Sequence, residues 1–151
     1  MTPVFGKLNL KDQTEILVLN APDSFEPELA ALAGVTVFRN VREARRVTFA
    51  LAFVKTQKEV DAISQVIAKK TQGDAIIWFA YPKGTSKKYH CDFNRDRGWD
   101  MMGQAGFEPV RQVAIDQDWS ALRFRRVEFI KSMTRRDSFA LTKRGKAKAG
   151  K

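Results

Sequence analysis

Residues 47–81 read Val-Thr-Phe-Ala-Leu-Ala-Phe-Val-Lys-Thr-Gln-Lys-Glu-Val-Asp-Ala-Ile-Ser-Gln-Val-Ile-Ala-Lys-Lys-Thr-Gln-Gly-Asp-Ala-Ile-Ile-Trp-Phe-Ala-Tyr, and this stretch decides the fold. The short apolar runs at 47–54 and 74–81 predict buried strands. Between them, Thr56 and Glu59 form a capping box that starts a helix, and Gly73 is expected to close it. A helix between two buried strands is typical of a parallel sheet with helices on its faces.

The residues before this stretch predict a second helix and two more strands. Residues 1–13 are polar and mixed, which predicts an irregular lead-in. Residues 15–20 and 35–41 read as strands, and Ser24 is expected to cap a helix that ends at Gly34. The link at 42–46 is too short for an ordinary parallel crossover. The strands on either side of it are therefore expected to be antiparallel, or one of them is misassigned.

The residues after this stretch predict a helix and a closing hairpin. The helix is expected from about Asp96, with Trp99 and Met102 on its apolar stripe and Gly106 at its end. Residues 109–116 and 119–127 predict two antiparallel strands joined by a tight turn. The fold class is thus α/β, with a mostly parallel sheet of about six strands between two helical layers. Residues 1–130 form one domain, and residues 131–151 form a basic, flexible tail.

Composition limits the classes of protein to which the chain can belong. Its 151 residues suit one domain with a core of its own. No apolar run is long enough to cross a membrane, and no signal peptide is visible. The single cysteine excludes an internal disulfide, so a cytoplasmic location is the default. Seven of the ten net positive charges fall in residues 131–151. Such a tail either keeps the protein soluble or attracts nucleic acid.

Two resemblances emerge from this order of elements. The order of strands and helices resembles a shortened methyltransferase-type Rossmann fold. Four segments, Leu-Asn-Ala-Pro (19–22), Trp-Phe-Ala-Tyr-Pro-Lys (78–83), Ala-Gly-Phe-Glu-Pro-Val (105–110) and Val-Ala-Ile-Asp-Gln-Asp-Trp-Ser-Ala-Leu-Arg-Phe (113–124), are similar to a family of short bacterial Rossmann-like domains. That family has no known function, so this resemblance implies a fold and no activity.

The first turn of the predicted sheet departs from the methyltransferase pattern. Methyltransferases have an acidic residue and a glycine-rich turn after the first strand, which lets the cofactor approach the backbone. Residues 20–24 contain no glycine, and Pro22 lacks a backbone N–H. The acid that ends the second strand and binds the ribose has no counterpart near Phe38 to Val41. No cofactor is therefore predicted.

Basic and aromatic residues are expected to meet at the carboxyl edge of the sheet, where open α/β sheets bind ligands. A loop rich in lysine follows the strand at 74–81, and the turn of the closing hairpin is expected at the same edge. An anion, such as a nucleotide or nucleic acid, is the predicted ligand. A solvated loop and an Asp116–Arg123 pair across the hairpin are the structural alternatives. The candidate ligand-binding residues are Lys83, Lys87, Lys88, Arg95, Arg97, Asp116, Trp119 and Arg123.

The remaining reactive residues argue against catalysis and metal binding. His90 and Cys91 are adjacent, whereas a catalytic pair usually converges from separate elements. One histidine and one cysteine do not make a structural zinc site. The favoured hypothesis is a non-catalytic module that binds an anionic ligand. The alternatives are a degenerate methyltransferase-like enzyme and a protein-interaction domain.

Overall fold

A computed structural model of the chain describes residues 3–93 and 97–130. Its sheet has six strands in the order β2-β1-β3-β4-β6-β5. The first four strands are parallel, β6 is antiparallel to β4, and β5 is antiparallel to β6. This confirms the predicted fold class. The strands are β1 (Glu15–Leu19), β2 (Thr36–Phe38), β3 (Val47–Phe53), β4 (Thr71–Pro82), β5 (Phe107–Ala114) and β6 (Trp119–Arg126).

Strand β1 lies between β2 and β3, and this position explains the short link. Ile16 pairs with Val37 on one side of β1, and Val18 pairs with Leu51 on the other, both in parallel. The expectation of an antiparallel or misassigned strand is therefore wrong. It assumed that strands consecutive in the sequence would be neighbours in the sheet. Residues 39–46 instead pass across β1.

Helices cover both faces of the sheet, which gives the three predicted layers. Helix α3 (Gln57–Lys70) and helix α4 (Asp100–Gln104) pack on one face. Helix α1 (Pro3–Lys7) lies on the other face, together with a 3-10 turn at Asp23–Phe25 and helix α2 (Glu26–Ala30). The described part of the chain ends with a second 3-10 turn, Val127–Phe129, and Ile130.

The lead-in is part of the core, contrary to the prediction for residues 1–13. Phe5 and Leu8 are fully buried, and the indole Nε1 of Trp78 donates a hydrogen bond to the carbonyl of Leu8 at 2.7 Å. Phe5 contacts the rings of Phe25 and Phe49. A five-residue helix gives little periodicity. The helix is needed because it covers an apolar face of the sheet, and that face is visible only in the tertiary structure.

Helix α3 begins as predicted and ends earlier than predicted. The capping box of Thr56 and Glu59 is present, with both reciprocal hydrogen bonds. The helix stops at Thr71, whose hydroxyl donates to the carbonyl of Ile67 at 2.7 Å. Gly73 does not close the helix. It lies within β4 in the left-handed region, at φ 62°.

The other boundaries differ by a few residues. Ser24 makes no capping hydrogen bond, because the chain enters α2 through the 3-10 turn. Helix α4 begins at Asp100, not near Asp96, and Gly106 follows its end at φ 94°. Strand β5 starts at Phe107. None of the described helices is long and apolar enough to span a bilayer. Residues 131–151 lie outside the described residues, so the flexible tail stays a prediction.

Candidate ligand-binding edge

The carboxyl edge of the parallel strands carries five segments. They follow β1 (20–22), β2 (39–40), β3 (54–56) and β4 (83–93), and the fifth is the β5–β6 turn (115–118). Trp119, the first residue of β6, pairs with Pro82, the last residue of β4. The hairpin turn and the lysine-rich loop therefore lie at the same edge, as the sequence suggested.

Hydrogen bonds fix the lysine-rich loop to the hairpin turn. The N–H of Lys83 donates to the carbonyl of Asp118 at 2.8 Å, and the hydroxyl of Ser86 donates to the Asp118 carboxylate at 2.9 Å. The Ser86 oxygen also accepts from the N–H of Lys88 and of Tyr89. The loop is thus an ordered turn, with Lys83 half-buried and Lys87 and Lys88 exposed.

Tyr89 brings two lysines together at this edge. The ammonium of Lys88 lies 5.3 Å from the centre of the Tyr89 ring, and that of Lys55 lies 5.6 Å from it. Both distances suit cation–π contacts. The sequence analysis missed Lys55. Its position directly after β3 was the available signal, because every residue that follows a parallel strand lies at this edge.

Two cavities adjoin the loop. The first, called the edge cavity here, has a volume of about 210 Å³ and is lined by Tyr81, Pro82, Lys83, Gly84, Ser86, Tyr89, His90, Cys91 and Phe93. The second has about 330 Å³ and is lined by Gln57, Cys91, Asp92, Phe93 and Arg97. Drug-sized ligands occupy roughly 300–1,000 Å³. The edge cavity therefore suits a fragment such as one ring or one phosphate group. Its lining contains aromatic rings as well as one lysine, Lys83.

Trp119 and Arg123 do not take their predicted places as ligand contacts. Trp119 is only 2% exposed, with its ring 5.1 Å from Phe53 and 5.0 Å from Tyr89. No face of the indole is free to stack on a ligand. Its Nε1 has no hydrogen-bond partner in the described part of the chain. Arg123 lies in mid-strand, opposite Trp78 on one side and Arg111 on the other.

The expected Asp116–Arg123 pair does not form. The carboxylate of Asp116 instead accepts from the N–H groups of Asp118 at 2.8 Å and Trp119 at 2.9 Å. This local Asx turn shapes the hairpin, so Asp116 has a structural part. Burial lowers the pKa of Arg123, and the nearby Arg125 lowers it further.

The start of α3 is closed to an anionic ligand. The N–H of Gln57 donates to the Asp92 carboxylate at 2.7 Å. The N–H groups of Lys55 and Thr56 donate to the Glu59 carboxylate at 2.8 and 3.1 Å. These two carboxylates take the donors that a phosphate would use at a helix N-terminus.

The first turn of the sheet is tight although it has no glycine. Asn20 adopts φ 59°, a left-handed conformation that asparagine tolerates better than most residues, and its side chain donates to the carbonyl of Phe53 at 3.4 Å. Near the end of β2, Arg39 makes a bidentate ion pair with Glu26 and lowers the pKa of that carboxyl group. An acidic residue is therefore near this edge, but its carboxylate is already engaged.

The remaining candidates contribute little chemistry. The thiol of Cys91 donates to the carbonyl of Phe93 at 3.1 Å, and burial is the main cause that raises its pKa. A raised pKa disfavours the thiolate that a nucleophile needs. No cluster of metal-ligating residues occurs among residues 3–93 and 97–130. Arg97 is exposed beside the second cavity, and Arg95 lies outside the described residues.

The fold has counterparts among solved structures. No known family profile matches the chain, and no curated protein is similar to it in sequence. The chain superposes on a phosphoethanolamine N-methyltransferase 2 from Haemonchus contortus with a TM-score of 0.51 and 6% identity. That structure is a complex with phosphomonomethylethanolamine and S-adenosylhomocysteine. The superposition covers 82% of this chain and 37% of the other.

Two further structures show the same fold. PigF with SAH gives a TM-score of 0.52 at 9% identity, covering 82% of this chain and 61% of PigF. A fibrillarin pre-rRNA processing protein from Methanococcus jannaschii gives 0.50 at 12% identity, covering 83% of this chain and 69% of the other. These likenesses establish a Rossmann-like fold of the methyltransferase type. The chain spans only 37% and 61% of the first two structures, so their activities do not transfer with the fold. The resemblance to the short bacterial domains stays a prediction.

Proposed function

We propose that the chain is a degenerate methyltransferase-like domain that holds an adenosyl-type ligand weakly at its carboxyl edge, beside residues 20–24. One observation carries this proposal: more than four fifths of the chain superposes on methyltransferases, two of which hold S-adenosylhomocysteine. In open α/β sheets the ligand binds at the carboxyl ends of the strands, whatever reaction follows.

Two features of the first turn support a degenerate cofactor site. Pro22 removes a backbone donor, and side chains replace the glycines that let a cofactor approach closely. The nearby Glu26 carboxylate is engaged by Arg39. A ribose would have to compete with an ion pair for it. We therefore expect weak binding and no methyl transfer.

Titration calorimetry and thermal shift with S-adenosylmethionine and S-adenosylhomocysteine test this proposal. A ligand at 1 mM with a dissociation constant near 0.1 mM stabilises a protein by about 1.4 kcal/mol, which raises the midpoint by roughly 3–6 °C. Methionine and ATP are the matched control ligands, because they share one part of the cofactor each. Stabilisation by neither adenosyl compound, or equal stabilisation by ATP, contradicts the proposal.

A second candidate is a non-catalytic module that binds an anion such as a nucleotide. The contacts of Lys55 and Lys88 with Tyr89, beside the edge cavity with Lys83, favour it. Two ammonium groups at one ring attract a phosphate, and the ring offers a surface for a base. This candidate predicts that ATP binds at least as well as S-adenosylhomocysteine.

Charge removal at the loop distinguishes the two candidates. Lys55→Gln with Lys88→Gln takes both cations from Tyr89 and should weaken ATP binding about tenfold or more at low salt. Lys11→Gln with Arg111→Gln removes the same charge from exposed positions outside the loop and is the control. An equal loss of ATP affinity in both double variants would show that net charge alone accounts for the weaker binding.

A further inference from the structure

The opposite edge of the sheet gathers basic side chains from three elements. This amino edge contains the starts of β3 and β4, the end of β6 and the end of α3. Lys70, in the last turn of α3, donates from Nζ to the carbonyl of Ala44 at 2.9 Å. This bond brings Ala44 of the 39–46 link against the end of the helix, where Lys69 is exposed. The exposed Arg45 and Arg46 follow Ala44 in the link.

Arg126 joins the third element to this edge. Its guanidinium donates to the carbonyls of Thr71 at 2.9 Å and Gly73 at 2.8 Å, which fixes the end of β6 at the junction of α3 and β4. Burial lowers the pKa of Arg126, Glu128 raises it, and Arg46 lowers it again. Arg46 is thus close enough to Arg126 to repel it.

The surface also has an exposed aromatic ring and leads into the most basic part of the chain. Phe129 is 38% exposed. In the described ranges, Phe129 and Val110 are the large apolar side chains that are exposed to solvent. The described chain ends one residue later, at Ile130. Residues 131–151 hold eight lysines and arginines against one acidic residue.

The helix dipole explains only part of this arrangement. Basic residues in the last turn of a helix offset its partial negative charge, which accounts for Lys69 and Lys70. It does not account for Arg45 and Arg46, which are outside any helix. The ion pairs of the described residues, Arg39–Glu26 and Arg125–Asp74, include none of these four side chains.

We propose that this amino-edge surface binds the phosphate backbone of nucleic acid. It is defined by Arg45, Arg46, Lys69, Lys70 and Phe129. The site is distinct from the carboxyl edge, so the proposal goes beyond the function above and does not depend on it. Clustered cations provide the sequence-independent attraction, and the exposed ring offers a stacking surface for an unpaired base.

Salt-dependent binding of the full-length chain to a 20-base-pair DNA duplex and a single-stranded RNA of the same length tests the proposal. Each phosphate contact on duplex DNA contributes about −0.9 to the slope of log K against log salt. Arg45→Gln with Arg46→Gln should therefore reduce the slope by about 1.8, and it should weaken binding about thirtyfold at 0.15 M salt. The control, Lys58→Gln with Arg111→Gln, removes the same charge from exposed positions outside the amino-edge surface and should have a much smaller effect.

Three results would overturn the proposal. The first is DNA and RNA binding that Arg45→Gln with Arg46→Gln leaves unchanged. The second is an equal loss in the control Lys58→Gln with Arg111→Gln, because net charge alone would then account for the weaker binding. The third is binding of poly-glutamate as tight as that of DNA at equal charge, which would indicate an acidic protein partner. Phe129→Ala should weaken the RNA complex about fivefold or more and spare the duplex, and an unchanged RNA complex would remove the ring from the surface.

Discussion

Replacing Phe5 by alanine tests whether the first residues of the chain belong to the core. Phe5 has no exposed surface, and its ring centre lies 5.7 Å from that of Phe25 and 6.3 Å from that of Phe49. Removing a buried phenylalanine costs about 3–5 kcal/mol, from lost burial and the cavity left behind. Helix α1 has only five residues, so part of the cavity should collapse. We therefore expect a loss near the lower limit, about 3 kcal/mol.

Urea denaturation and a thermal melt measure this loss. A domain of this size loses about 2–4 °C per kcal/mol, so the midpoint should fall by roughly 6–12 °C with the urea m-value unchanged. Lys11→Ala is the matched control, because Lys11 is exposed in the same segment and should change stability by less than about 0.5 kcal/mol. A Phe5→Ala protein within 1 kcal/mol of the parent would refute the packing of α1 on the sheet.

Three further changes have defined outcomes. Thr56→Ala removes the cap of α3 and should lower the free energy of unfolding, measured by denaturation, by about 0.5–2 kcal/mol. The control Lys58→Ala changes an exposed residue and should lower it by almost nothing. Equal losses of stability in the two variants would contradict the capping box. Arg125 lowers the pKa of Asp74, so this ion pair stabilises the fold above the unfolded pKa of about 3.9, and the stabilisation is lost as pH falls through the lower folded pKa. The difference in unfolding free energy between the parent and Asp74→Asn should therefore narrow below about pH 4. A difference that stays constant from pH 7 to pH 2 would argue against the pair. Burial raises the pKa of Cys91, so its reaction with a disulfide reagent at pH 8 should be slower in the folded than in the unfolded chain, and equal rates would show that the thiol is open.

The two edges of the sheet have different chemical characters. At the carboxyl edge, Asp92 and Glu59 accept from backbone N–H groups at the start of α3, so an anion there would bind mainly to side-chain cations such as Lys88 and Arg97. At the amino edge, Arg126 donates to carbonyls near the end of α3, and Lys69 and Lys70 offset the partial negative charge of the same helix end.

Part of the candidate site was predictable from the sequence. The meeting of the lysine-rich loop with the hairpin turn followed from strand direction alone, because β5 runs in the direction of β4 and the turn follows its carboxyl end. Lys55 was missed because it is isolated in the sequence. For Trp119 the sequence left two interpretations open, packing on the sheet edge and stacking on a ligand. Whether Phe53 and Tyr89 cover it depends on residues far away in the chain.

The sequence by itself determined the elements whose stabilising contacts are local. These elements include the cap and apolar stripe of α3 and the buried run of β4. Their stabilising contacts lie within a few residues, so the local sequence pattern is sufficient to predict them. The tertiary structure alone decided what depends on distant partners. It inserted β1 between β2 and β3, and it recruited Phe5 to the core. It also brought Ala44 of the 39–46 link against the end of α3. These arrangements arise because each apolar face must be covered by another element, and the local sequence does not specify which element covers it.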